Sequence, residues 1–188
     1  MAGTAAHGAS SGAPSRWMQR HAGLLKPGGQ VLDVACGSGR NLRWLAAQGF
    51  AVTGVDRDAQ ALSSLAGTGT TVQADIENGP WPFAGCAFDG VVVTNYLWRP
   101  LLPLLQAVLA PEGVLVYETF AHGHQTIGRP SRPDFLLQPG ELLQAFQGLR
   151  VVAYEDGFES EVPRFVQRLV AVNTPAHRQP PPRHVLAP

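Results

Sequence analysis

Apolar positions along the chain alternate between two rhythms. Short, nearly continuous apolar runs of strand length occur at QVLDVA (30–35), AVTGV (51–55), TTVQAD (70–75), FDGVVVTN (88–95) and EGVLVYETF (112–120). Stretches with apolar residues three and four apart lie between them, and this spacing puts one stripe on a helix. SRWMQRHAGLL (15–25) is the first, with Trp17, Met18, His21, Leu24 and Leu25 on its stripe, and KPGG ends it. RNLRWLAAQG (40–49) and DAQALSSLAG (58–67) each finish on a glycine, as helices commonly do. YLWRPLLPLLQAVL (96–109) reads as helical, with Pro100 and Pro103 confining regularity to its ends. PGELLQAFQG (139–148) reads as a last helix, and LRVVAYEDG (149–157) and RFVQRLVAV (164–172) as two closing strands. ENGPWPFAGC (77–86) and residues 120–138 are loops, the second unusually long. Strands alternating with helices predict a parallel sheet covered on both faces, and two successive strands at the end predict an antiparallel hairpin.

The ends differ in composition from this pattern. Residues 1–14 contain almost no large apolar group, and residues 174–188 include Pro175, Pro180, Pro181, Pro182 and Pro188. Neither can bury enough surface to offset ordering entropy, so one domain is expected over 15–173 between two tails. The 188-residue chain carries 14 basic and 14 acidic residues for a net charge of zero. That balance disfavours a nucleic-acid binder working through a large basic surface. No apolar run approaches the roughly 20 residues of a membrane span, and the N-terminus lacks the apolar core of a signal peptide. Two cysteines, Cys36 and Cys86, form no disulfide framework and suit a reducing cytoplasm. Nothing in the sequence sets the oligomeric state.

The chemistry gathers at the predicted strand ends. In an open α/β sheet, ligands bind beyond the carboxyl ends of the strands. The first strand runs into ACGSGRN, where Gly37 and Gly39 permit backbone angles that a Cβ forbids. Leu42 stands where a dinucleotide fingerprint has its third glycine, and no lysine follows the turn as in a triphosphate loop. Asp33, just before the turn, would repel a pyrophosphate and favour an ammonium or sulfonium. Asp56 ends the second strand, where a carboxylate can accept from ribose hydroxyls. Asp75 and Ile76 follow the third strand, where an adenine would lie, and Asn95 ends the fourth, facing the reacting end. The set describes a site for an adenosine with a zwitterionic, cationic tail.

These motifs resemble those of the class I S-adenosylmethionine-dependent methyltransferases. VLDVACGSG is similar to their first motif, VTGVDRD to the second, and QADIE and FDGVVVTNYL to the next two, with the likeness running from about Val31 to Val172. Among subgroups the chain looks most like the small bacterial tellurite-resistance-type and uncharacterised enzymes. The resemblance implies a Rossmann-like, doubly wound, seven-stranded sheet, mostly parallel with the last strand antiparallel. It implies S-adenosylmethionine as cofactor, with the methionine part held by Asp33 and the loop of Ala35, Cys36, Gly37 and Gly39. It further implies Asp56, with Arg57 beside it, at the ribose, and Asp75 with Ile76 at the adenine. Arg40 and Asn41 are candidates for the methionine carboxylate, and Trp17 for covering the cofactor. Cys36 is expected to be small for tightness rather than a nucleophile, having no evident base beside it.

NYLW stands at residues 95–98 where methyltransferases of bases or glutamine carry NPPY, so DNA adenine and glutamine are not the expected acceptors. Acceptor-side candidates are Asn95, Tyr96, Glu118, His122, His124, Arg129 and Arg132. The last four lie in a loop with the single acid Asp134, which points to a small acceptor with negative charge. No metal is expected, since the His122/His124 pair lacks a third ligand. A nicotinamide-dependent oxidoreductase and a non-catalytic S-adenosylmethionine-binding regulatory module remain the alternatives.

Overall fold

The computed structural model describes residues 12–174 and 183–185, so most of both expected tails lies outside the described residues. The chain opens with α1 (Arg16–His21), whose N-cap Ser15 accepts from the Met18 amide, and a 3-10 turn over Ala22–Leu24 extends it. There follow β1 (Gln30–Val34), α2 (Arg40–Ala47), β2 (Ala51–Asp56), α3 (Ala59–Ser63), β3 (Thr70–Gln73) and β4 (Phe88–Thr94). Then come α4 (Leu102–Ala107), β5 (Leu109–Phe120), α5 (Glu141–Ala145), β6 (Arg150–Glu159) and β7 (Arg164–Val172). Seven strands form one sheet in the order β3-β2-β1-β4-β5-β7-β6. The first five are parallel, and β7 runs antiparallel between β5 and β6. Both expectations, the closing hairpin and the antiparallel last strand, describe this arrangement, and the last strand is inserted between β5 and β6.

Because successive strand residues face opposite sides, each strand feeds two cores. Leu32, Val34, Val91, Val93, Leu115 and Leu169 pack under α4 and α5 with Leu105, Leu142 and Phe146. Val31, Val92, Val116 and Val170 pack under α1 and α2 with Met18, Leu42 and Leu45. Each such side chain contributes on the order of 1.5–3 kcal/mol by leaving water. Gly54 in β2 allows α2 to settle: a Cβ there would stand 2.4 Å from Leu42 Cδ1 and 2.8 Å from Cys36 Sγ.

Among the boundaries that differ from expectation, three bear on the layout of the helices and the sheet. The helix expected over 96–109 is a 3-10 turn, Arg99–Leu101, leading into α4, and each piece has a proline in its first turn. A proline there loses no helical hydrogen bond, so the prolines start these pieces rather than interrupt one helix. Strand β5 begins at Leu109, three residues early, because Leu109 pairs with Phe88 across a register shift at 88–90. Helix α3 ends at Ser63, with turns carrying the chain on to Gly67. No helix among the described residues is long and apolar enough to cross a membrane.

Candidate functional site

The strand order reverses on either side of β1, and the turn between β1 and α2 sits at that point. Ala35 (φ 52°) and Asn95 (φ 56°), just past the ends of β1 and β4, both hold left-handed backbones. For residues with a Cβ, such conformations cost about 1–3 kcal/mol each and persist only where the surroundings impose them. The turn is pinned from three sides: the Cys36 amide donates to the Val55 carbonyl, Gly39 to the Cys36 carbonyl, and Gly37 to Asp56 Oδ2 at 2.8 Å. The two glycines serve different ends. A Cβ on Gly39 would overlap Leu65 Cδ2 at 2.3 Å, whereas one on Gly37 would enter open space. Gly37 therefore leaves bare backbone facing a vacant region, and Gly39 permits close packing.

A cleft opens beside this turn, across the ends of β1 to β4. Its apolar walls are Ala35, Ala74, Ile76 and Tyr96, and its polar rim is Asp56, Asp75, Glu77 and Arg57. The Asp56 carboxylate accepts the Gly37 amide and, through Oδ1, the Asp58 amide at 2.9 Å. Asp75 is exposed and folds back on its own turn: Oδ1 accepts the Glu77 and Asn78 amides, and Oδ2 accepts Asn78 Nδ2. Those bonds, the Asn78 side chain's first, hold its carboxyl below the usual range.

Asp33 Oδ2 and Asn95 Oδ1, at the same end of the sheet, are among the buried polar atoms without a partner. Strand alternation turns Asp33 toward the α1/α2 face, beneath the start of α2. It is 1% exposed, and burial raises its pKa to about 7 against the pull of Arg40. An open glycine, an apolar slot rimmed by carboxylates and a buried acid with one oxygen unmet fit an adenosine carrying a cationic tail.

The remaining candidates are scattered more widely. Cys36 is buried against Gly54, and burial, reinforced by Asp33 and Asp56, pushes its thiol pKa up, which suits packing and not attack. Asn41 is fully engaged: its Oδ1 accepts the Ser15 amide and its Nδ2 donates to Thr94 Oγ1. Arg40 bridges Thr94 Oγ1 and the Ala13 carbonyl. Trp17 corrects the expectation of a cofactor cover. It lies in the core, edge-on to His21 at 4.2 Å, with its Nε1 reaching the Leu169 carbonyl at 3.5 Å.

Glu118 is also withdrawn from the acceptor side. It is 2% exposed, with Oε1 accepting from Ser15 Oγ and Oε2 from Arg168 Nε at 2.6 Å and Arg164 at 3.4 Å. Arg168 continues to Glu155 and Glu159, and Arg164 also pairs with Glu159.

The loop after β5 is mostly self-contained. His124 is buried against Phe120 with Nε2 at the Arg129 carbonyl, 3.1 Å away, and so ties the loop down. Arg132 pairs with Asp134 and lies over Phe135. His122 and Arg129 are exposed. Two participants were not singled out in the sequence. Glu77, two residues past Asp75, accepts the Tyr96 hydroxyl at 3.2 Å. Arg99 holds Glu141 with two nitrogens and also donates to the Asp134 and Leu136 carbonyls, fastening the loop to the start of α4. Neither belongs to a local motif; Glu77 follows a strand-end acid in QADIE, and nothing marks Arg99.

Residues 31–113, from β1 into the start of β5, match the profile of a methyltransferase-domain family. The chain is 35% identical over 114 residues to protein-L-isoaspartate O-methyltransferase of Methylorubrum extorquens (strain PA1), covering 57% of this chain and 49% of that protein. It thus spans about half the length of this curated relative. Among solved structures it superposes on TehB from Haemophilus influenzae with a TM-score of 0.66 at 18% identity, over 81% of this chain and 60% of that one. An S-adenosylmethionine-dependent methyltransferase from Methanosarcina mazei gives 0.65 at 14% identity, over 86% and 99%. A TehB-like S-adenosylmethionine-dependent methyltransferase from Corynebacterium glutamicum gives 0.60 at 21% identity, over 89% and 90%. At these identities the superpositions establish a shared fold.

Proposed function

We propose, from the premise that this chain belongs to the class I S-adenosylmethionine-dependent methyltransferase family, that it transfers the methyl group of S-adenosylmethionine to a small acceptor bearing negative charge. The observation that carries this reading is the cleft itself: Asp56, Asp75 and Glu77 rim an apolar slot of Ala35, Ala74, Ile76 and Tyr96 at the carboxyl ends of the strands.

The cofactor supplies a sulfonium-bound methyl open to in-line displacement, and the protein's part is placement. Asp56 accepts from the ribose hydroxyls while its bonds to Gly37 and Asp58 keep it in place. Asp33 balances the ammonium of the tail, which gives its unmet oxygen a partner. Asn95 presents an unpaired amide oxygen at the end of β4, toward the transferring group. Holding two reactants in line can supply on the order of 7–11 kcal/mol without a base. Glu118 does not act as one, because its oxygens are already paired with Ser15, Arg164 and Arg168. On the loop, pairing of Arg132 and burial of His124 leave His122 and Arg129 as the groups that attract an anion. Both cysteines are free thiols, in keeping with a reducing compartment.

The test has two stages. Calorimetric titration is expected to show binding of S-adenosylhomocysteine and none of NAD; the opposite pattern replaces this reading with an oxidoreductase. Release of S-adenosylhomocysteine is then followed over pools of small anionic metabolites. Turnover that drops in His122→Ala and Arg129→Ala while cofactor affinity holds supports the acceptor assignment. Cofactor binding with no turnover on any pool favours a non-catalytic module.

A further inference from the structure

Beside the cleft, the carboxyl end of the sheet carries an apolar surface that the fold leaves open. Strand β7 runs antiparallel, so its first residues lie level with the end of β5, with Val166 opposite Phe120. The β6–β7 hairpin closes just beyond, with Glu159 opposite Arg164. Phe158, near the end of β6, is 53% exposed, and Val162, in the turn that follows, is 58% exposed. Phe158 is nonetheless held in place: its ring centre lies 5.1 Å from that of Phe165. Phe165 in turn backs onto Gly123, where a Cβ would stand 2.9 Å from the ring. Gly123 belongs to the loop after β5, next to exposed His122, and exposed Ile127 ends the short 3-10 turn that Gly123 begins. The charges of the hairpin are already matched, Arg164 with Glu159 and Arg16 with Glu161. The side chains of His122 and Arg129 form no ion pair among the described residues.

We propose that Phe158 is a specificity-determining residue of the acceptor site, and that the acceptor is an amphipathic anion, with a negative group held by His122 and Arg129 and an apolar body laid on Phe158. The inference rests on the reading of this protein as a methyltransferase with an anionic acceptor. The two kinds of contact divide the work. Cations attract and orient one end, whereas apolar contact is non-directional and grows with the area removed from water. A ring already fixed by its neighbours offers that area without losing further rotamer freedom. Position sets the size of the ligand. Strand β6 stands three places from β4 in the order β4-β5-β7-β6, or about 14 Å at the usual strand spacing. A two-carbon anion can reach the loop cations and not the ring; a longer chain can reach both.

The probes are the straight-chain carboxylates from butyrate to octanoate, which share one charge and differ only in apolar length. Each is titrated calorimetrically into the full chain saturated with S-adenosylhomocysteine. Affinity is expected to climb along the series by up to about 4-fold per methylene, the range for taking a methylene out of water. Phe158→Ser should flatten the climb while butyrate affinity holds. Arg129→Ala should weaken every member by a common factor and keep the climb. Val151→Ser, at an exposed apolar position near the start of β6, should leave the series unchanged. A flat series in the parent protein, an unchanged climb in Phe158→Ser, or a climb lost equally in Val151→Ser overturns the assignment. So does a change of oligomeric state in Phe158→Ser, which would make the surface a contact between copies of this chain. A parent protein that does not take up S-adenosylhomocysteine overturns methyl transfer and this assignment with it, whereas uptake with a flat series removes this assignment alone.

Discussion

Of the acids buried at the carboxyl end of the sheet, Glu118 and Asp33 are treated by the fold in opposite ways. Glu118, in β5, is met on both oxygens by Ser15, Arg164 and Arg168, and the network extends to Glu155 and Glu159. Asp33, in β1, keeps one oxygen without a partner, and the field of Arg40, the Leu42 amide and the Asn41 side chain offset its burial only in part. Burying a charge is costly unless it is paired, so the first acid is part of the scaffold and the second is unfinished business of the fold. The same contrast runs through the halves that hold them. The ends of β1 to β4 carry unpaired Asp33 and Asn95, a strained Ala35 and an open Gly37. The ends of β5, β7 and β6 carry closed ion pairs. A region whose polar groups are left unmet is arranged for something arriving from outside, and here that region coincides with most of the matched methyltransferase domain.

The sharpest way to break the contrast is to remove Asp33's charge. Its pKa is raised above the unfolded value, so its folded state is favoured while the group is protonated. Stability is lost as pH rises from about 4 through about 7. The gap between those values corresponds to no more than about 4 kcal/mol. Asp33→Asn should therefore flatten the fall in stability of the ligand-free protein between those pH values and raise its melting temperature at pH 8. It should also weaken S-adenosylhomocysteine binding. Chemical denaturation across pH reads the first effect, and an unchanged slope would mean that Asp33 is ionised in the free protein.

Removing the paired acid should do the reverse. Glu118→Ala is expected to lower stability by about 3 kcal/mol, the lower end for breaking a buried ion pair, because Arg168 retains Glu155 and Glu159. Urea melts measure this, and a change under about 1 kcal/mol would show that the network is replaceable.

Gly39→Ala sharpens the comparison within the turn. Its φ of 76° and the overlap with Leu65 should cost about 1–2 kcal/mol and displace the turn between β1 and α2. Gly37→Ala, strained in φ alone, should cost less stability while hindering ligand approach. Equal effects on both readouts would remove the distinction drawn between the two glycines. The smallest effect belongs to Arg132→Ala. Its pair with Asp134 is solvent-exposed, so thermal melts should move by less than about 0.5 kcal/mol.

The sequence by itself determined the order and kind of the elements and the framework of the cleft. Those features have local causes. Strand and helix rhythms follow from burial of one or two faces, and Gly37, Gly39, Asp56, Asp75 and Ile76 occur in short runs whose spacing fixes their place at strand ends. Even the prolines at 100 and 103 were visible as markers, although their position in the first turns of two pieces needed the fold. Tertiary structure alone decided which polar groups remain free. The bond from Ser15 to Glu118 joins residues 103 positions apart, and that from Arg168 to Glu118 spans 50. No local pattern records such partners, so Glu118 looked like an acceptor-side residue until β7 was placed beside β5. Trp17, His124 and Arg132 were drawn into packing, a loop tie and a surface ion pair for the same reason. Glu77 moved the other way: its neighbour Asp75 had the expected position, but the turn consumed Asp75's oxygens, while Glu77 lines the cleft with one oxygen on the Tyr96 hydroxyl. A residue's type is written in the chain, while its unspent hydrogen-bonding capacity depends on every partner the fold brings to it.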